Sequence, residues 1–210
     1  MLRLVLDWMA VDGQPEHNLS FDEGARWSSE ALLPSSFLPR HRGDSLGEGW
    51  TNADGCVGHY VQQPRRGDLS LLSDATQFVV IEAKMFSGLS RGTKNAPDFD
   101  QAARNVACMA EVLRLANRAP DAMRNLCFFV TAPQSQIDAA IFGDLVTKPS
   151  IRSKVVSRVA SYSGERDGWL DDCFEPLLER VQVELQPSGG FVWRWNKELR
   201  MRRLSSGTCS

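Results

Sequence analysis

No apolar run in this 210-residue chain approaches the ~18 residues that a membrane-spanning helix requires, so no membrane partner is expected. The opening Met1-Leu2-Arg3-Leu4-Val5-Leu6 is interrupted by Asp7 and Asp12 and leads to no cleavage pattern, which points to a cytoplasmic address. Paired cysteines are missing as well. Cys56, Cys108, Cys127, Cys173 and Cys209 are odd in number, widely spaced and without a C-x-x-C, which argues against a disulfide framework and a zinc ribbon. The histidines, His17, His41 and His59, share no ligand spacing. Nor does either sign of charge dominate: 24 Lys+Arg against 26 Asp+Glu leave a net charge of −2. That excludes a histone-like binder but leaves room for a local basic groove. What is present is an ordinary globular composition, 42% hydrophobic and 24% charged, at a length that suits one domain with a sizeable core.

We read residues 1–203 as that domain, with its core at about 56–133, and 204–210 as a frayed tail. Ser20 followed by Glu23 has the form of a capping box, which predicts a helix running to Leu33 before Pro34. Residues 34–55 are rich in Pro, Gly, Ser and Arg and predict a long loop. Three strand-like runs follow: CVGHYV from Cys56, DLSLL from Asp68, and QFVVIEAKM from Gln77, the last being the strongest strand signal in the chain. Their tight connections suggest an antiparallel meander. From Phe99 to Asn117 apolar residues recur at helical spacing, and LCFFVTAP from Leu126 is another buried strand. Strand, long helix, strand predicts a parallel crossover. Weaker helical patterns fill 134–185, and FVWRW from Phe191 reads as a terminal strand. The expected fold is mixed α/β (α+β): a central mixed sheet with an antiparallel hairpin and flanking helices.

The chemistry concentrates at Glu82-x-Lys84, at the end of the strongest strand. Alternation puts Phe78, Val80, Glu82 and Lys84 on one face. Burying an acid and an amine there is costly unless both have partners. Asp68 opens the preceding run, 14 positions before Glu82, and an odd turn around Asp74-Ala75-Thr76 would set the two directly opposite. Two carboxylates at one hairpin mouth can hold a divalent cation through hard oxygen ligands. Lys84 would assist the attacking water near a phosphate. Asp74 reads as a turn former, too far along the strand from Glu82 to share a metal.

GDLSLL…FVVIEAK resembles the active-site hairpin of the PD-(D/E)XK, or restriction-endonuclease-like, nuclease superfamily, over about 60 residues from Cys56 to Asn117. Gly67 stands where relatives often carry proline. The resemblance implies a restriction-endonuclease-like core, with Asp68, Glu82 and the Ala83 carbonyl as metal ligands and Lys84 as the catalytic lysine. It implies Mg²⁺-dependent (Mn²⁺ can substitute) hydrolysis of a nucleic-acid phosphodiester, with DNA as the expected partner. Relatives often place a glutamine in the first turn of the long helix, facing the site. Gln101 stands there, but it would equally close a capping box with Asp98. A glutamate from the first helix is a further metal ligand in many relatives; Glu30 is the candidate, against a simply solvated glutamate. Glu48 and His59 are weaker candidates, and Arg104 could meet a phosphate or water. Arg40 with Arg42, Arg65 with Arg66, Arg91 with Lys94, and the run Arg194, Lys197, Arg200, Arg202, Arg203 are candidate phosphate contacts. The alternative is a non-catalytic interaction module on the same fold, whose acids form a structural ion pair.

Overall fold

The computed structural model describes residues 21–63 and 68–187. Ser20, the Arg65–Arg66 pair with Gly67, the FVWRW segment, the C-terminal basic run and the tail lie outside the described residues. The fold is mixed α/β, as expected. A five-stranded sheet has the order β1-β2-β5-β6-β7, where β1 is Arg26–Leu33, β2 Thr51–Gly58, β5 Gln77–Ala83, β6 Asn125–Ala132 and β7 Gln182–Pro187. β3 (Tyr60–Gln62) and β4 (Leu69–Leu71) pair separately as a two-stranded ribbon. The helices are α1 (Gln101–Leu115), α2 (Gln134–Asp138), α3 (Lys148–Ala160) and α4 (Glu175–Arg180), the last entered through a π-helical turn at Leu170–Phe174. Among the described residues no helix is long and apolar enough to cross a membrane.

β5 is central because almost every side chain on it is apolar and both faces must be covered. Phe78 and Val80 join the main core with α1, while Val79 and Ile81 join a second cluster with Val57, Cys127, Phe129 and Trp27. β5 runs antiparallel to β2 and parallel to β6, so the strand–helix–strand reading holds.

Three expectations fail here. Arg26–Leu33 is a strand, not a helix. Glu, Ala and Leu favour helix, but pairing along β2 from Arg26↔Gly58 to Leu33↔Thr51 overrides that local preference. The loop expected over 34–55 ends early, because Thr51 opens β2. Asp54-Gly55 carries turn chemistry, yet strands on both sides force it extended. Finally, the partner of β5 is β2, not the run from Asp68. The connection between β2 and β5 is a spur: β3 and β4 pair with each other, Tyr60↔Leu71 to Gln62↔Leu69. Gly58 makes the branch possible. Its φ of 151° and its contact with the Gln77 backbone leave no space for a Cβ. His59 locks the same point. Its Nδ1 accepts from the Thr76 and Gln77 N–H groups, and its Nε2 lies 2.9 Å from the Glu23 carbonyl. His59 is thus a hydrogen-bonded structural residue.

Candidate active site

The β2–β5 ladder runs from Gly58↔Phe78 to Gly55↔Ile81, and its register places Asp54 next, opposite Glu82. The site acid opposite Glu82 is therefore Asp54, which the sequence reading did not select. Asp68 is elsewhere: it bridges Leu32 on the outer edge of β1. Three strand spacings, roughly 14 Å along the sheet, separate that position from β5. The expected Asp68–Glu82 opposition does not exist, because the three-residue β4 takes its hydrogen bonds from β3. Asp74 lies in the turn before β5, as expected.

Glu82 has no exposed surface, yet its carboxylate is held on every side. Gln101 Nε2 donates to Oε2 at 2.7 Å and Asn105 Nδ2 to Oε1 at 2.6 Å. Lys84 Nζ lies 3.4 Å from Oε2. Gln101 thus faces the site instead of closing a cap; the cap of α1 is Asp100, whose side chain accepts from Ala103 N–H. Asn105 was also missed. It stands four residues after Gln101 on the same helix face, a spacing visible in the sequence.

Asp54 accepts the Ala83 N–H through Oδ2 at 2.8 Å and lies within hydrogen-bonding reach of the Glu82 carboxyl. Burial, then the charge of Asp54 and the hydrogen bond between the two carboxyls, push Glu82 up to about 8; Lys84 and Asn105 oppose the rise. With both acids ionised, two carboxylates confront one lysine, and the missing positive charge is supplied either by a proton held on Glu82 or by a cation. This donor set suits a small hard cation: the oxygens of Asp54 and Glu82, with Asn105 Oδ1 buried and without a hydrogen-bond partner. Among the described residues no cluster of three or more His, Cys, Asp or Glu side chains forms, so a cation here would complete its shell with water, amide or main-chain oxygen and substrate. Access is through Asp54, Ala83, Lys84 and Gln101, which are partly exposed.

Glu30 is on β1 rather than a helix, exposed, and opposite Asp54 in register. The pairing skips it and its φ is 55°. Glu48 is not a ligand of this cluster. It is buried 2.7 Å from Arg158 and 3.5 Å from Arg104, which places Arg104 in an ion pair. Arg40 is likewise committed, to Asp44 and Glu165, whereas Arg91 and Lys94 are exposed. The thiols of Cys56, Cys108 and Cys127 are free and buried, and burial pushes each up, leaving them unreactive. A cavity of about 540 Å³ near the far end of α1, lined by Arg40, Arg114, Arg166 and Trp169, is remote from Glu82; Arg114 there is tied to Glu111. No family model, curated protein or solved structure matches the chain.

Proposed function

We propose that the protein is a metal-dependent nuclease that hydrolyses nucleic-acid phosphodiester bonds, with DNA as its substrate. The observation that carries this reading is the juxtaposition of two acids, Asp54 and Glu82, across one strand pair beside Lys84, at the end of the buried central strand. The likeness of the Glu82-Ala83-Lys84 motif to the PD-(D/E)XK superfamily adds to it, with Asp54 replacing Asp68 as the first acid. Asp54, Glu82 and the Ala83 carbonyl would hold Mg²⁺ or Mn²⁺. Such a cation neutralises phosphate charge and lowers the pKa of water.

The chain's own residues supply the rest. The Gln101 and Asn105 amides fix the orientation of the Glu82 carboxylate, so it needs no reorganisation on binding. Lys84 contributes a positive charge where negative charge develops on the phosphate. Glu30, exposed opposite Asp54, is available as an additional acid.

Cleavage of plasmid and of single-stranded DNA, with Mg²⁺ and with Mn²⁺, tests the proposal. Glu82→Gln and Lys84→Ala should each lower the rate by about 10²-fold or more while circular dichroism stays unchanged. Mg²⁺-stimulated cleavage that persists at the wild-type rate in Glu82→Gln would overturn it.

A further inference from the structure

Phe86 is the most conspicuous misfit on the described surface. It is 91% exposed, whereas Val61, Leu72, Leu115 and Ile141 range from 38% to 58%. It stands two positions after Lys84 and four after Glu82, at most ~13 Å of extended chain. Bases along one strand are ~3.4 Å apart, so Phe86 lies within about four bases of a phosphate at the site.

The loop that follows Phe86 is firmly built. The Gln101 N–H donates to the Ser90 carbonyl at 3.0 Å, and the Ser90 N–H donates to Gln101 Oε1 at 3.2 Å. Asn95 Nδ2 reaches the Gly47 carbonyl at 2.8 Å, Gly92 N–H the Pro97 carbonyl at 3.0 Å, and Leu89 and Ala96 are buried in the core. Gly92 packs so closely on the Ala96 carbonyl that no side chain fits. This anchored loop leaves two cations outside, Arg91 and Lys94, both exposed. Gln101 is thus shared: one end of its amide holds Glu82 and the other holds the loop.

An exposed aromatic ring followed, five and eight positions along the same loop, by two exposed cations matches the chemistry of an unpaired nucleic-acid strand. Aromatic rings stack on bases, and cations meet the phosphates on either side. A base inside a duplex has no free face for such a ring. We infer that residues 85–97 form a clamp for single-stranded nucleic acid, in which Phe86 stacks on a base while Arg91 and Lys94 contact the adjoining phosphates. This rests on the nuclease reading of the Glu82 cluster and names the substrate as an unpaired strand, including a flap or frayed end.

The test is fluorescence anisotropy of the full chain in EDTA, where nothing is cut, with labelled single-stranded DNA, single-stranded RNA and duplex DNA. Single strands of at least one kind should bind more tightly than duplex, and the two single-stranded arms distinguish the sugar. Phe86→Ala should weaken single-strand binding by about 5- to 100-fold, and Phe86→Tyr should restore it. Arg91→Ala and Lys94→Ala should each reduce the salt dependence by about one phosphate contact. The clamp is overturned if Phe86→Ala binds single strands as wild type does, if duplex binds as well as single strands, or if no oligonucleotide binds. It is equally overturned if Phe86→Ala instead abolishes self-association in sedimentation, since a second copy would then cover the ring. Cleavage lost in Glu82→Gln but retained in Phe86→Ala would leave the nuclease reading intact while removing the clamp.

Discussion

Glu48 and Glu82 are both buried acids on the helix-packed side of the sheet, and their surroundings are balanced in opposite senses. Glu48 meets two cations, Arg158 at 2.7 Å and Arg104 at 3.5 Å. Arg158 also donates to the Leu46 carbonyl and lies over the Phe37 and Tyr162 rings at 5.3 and 5.0 Å. Burial pushes the Glu48 carboxyl up against the downward pull of both guanidiniums. Its charge is matched by two guanidiniums, and it ties the segment after β1 to α1 and α3. Glu82 instead meets a second acid and a single lysine. A buried acid with surplus cations is a fastener; one with surplus acids must hold a proton unless a cation takes its place.

The largest effect that would break this comparison is on cleavage. Asp54→Asn keeps the acceptor for the Ala83 N–H but removes one of the two acids, and should lower cleavage by about 10²-fold or more in the plasmid assay. A wild-type rate would return the first-acid role to another residue.

Arg158→Met tests the fastener. Leaving Glu48 with only the longer contact to Arg104 should cost about 3–5 kcal/mol in urea unfolding. For a chain of this size that is a fall of about 10 °C in Tm. Cleavage at a temperature where the variant is folded should survive.

Glu82→Gln should sharpen the contrast through pH. The folded carboxyl is raised to about 8 from its ordinary 4.5, so it binds its proton more tightly than the unfolded chain does. Its contribution to stability is therefore present below pH ~4.5 and is lost as pH rises through ~8. In EDTA the Gln variant should be indistinguishable from wild type near pH 4.5 and more stable by about 1–3 kcal/mol at pH 9. Asn105 Oδ1, unpaired in the native protein, can accept from the new amide once Asn105 flips. Adding Mn²⁺ at pH 8 should raise the Tm of wild type and not of the variant, because only the wild-type site offers the second carboxylate.

The smallest effect is expected at Asp68. Asp68→Asn should leave cleavage unchanged and shift stability by no more than about 0.5 kcal/mol, since Asp68 sits partly exposed beyond β1.

These contrasts show what could be read in advance. Glu82 and Lys84 were legible because an apolar strand that ends in two same-face charges is anomalous under its own alternation. The helix from Gln101 and its parallel crossover were legible because helical periodicity and buried runs are local signals. Asp54 was not, because Thr51-Asn52-Ala53-Asp54-Gly55 carries loop chemistry and becomes a strand only between β1 and β5. Glu30 suffered the reverse error, with helix-favouring neighbours in a strand. Asn105 is legible only through its spacing, four residues after Gln101 on the same helix face.

By itself the sequence determined which stretches bury themselves and where Glu82 and Lys84 stand on their strand, because alternation and helical spacing are properties of neighbouring residues. Only the tertiary structure decided which acid faces Glu82. Strand pairing is settled by which long, doubly covered strands bury the most surface together. The eight-residue β2 met that requirement across a 28-position gap between Asp54 and Glu82, and the nearer but three-residue β4 did not.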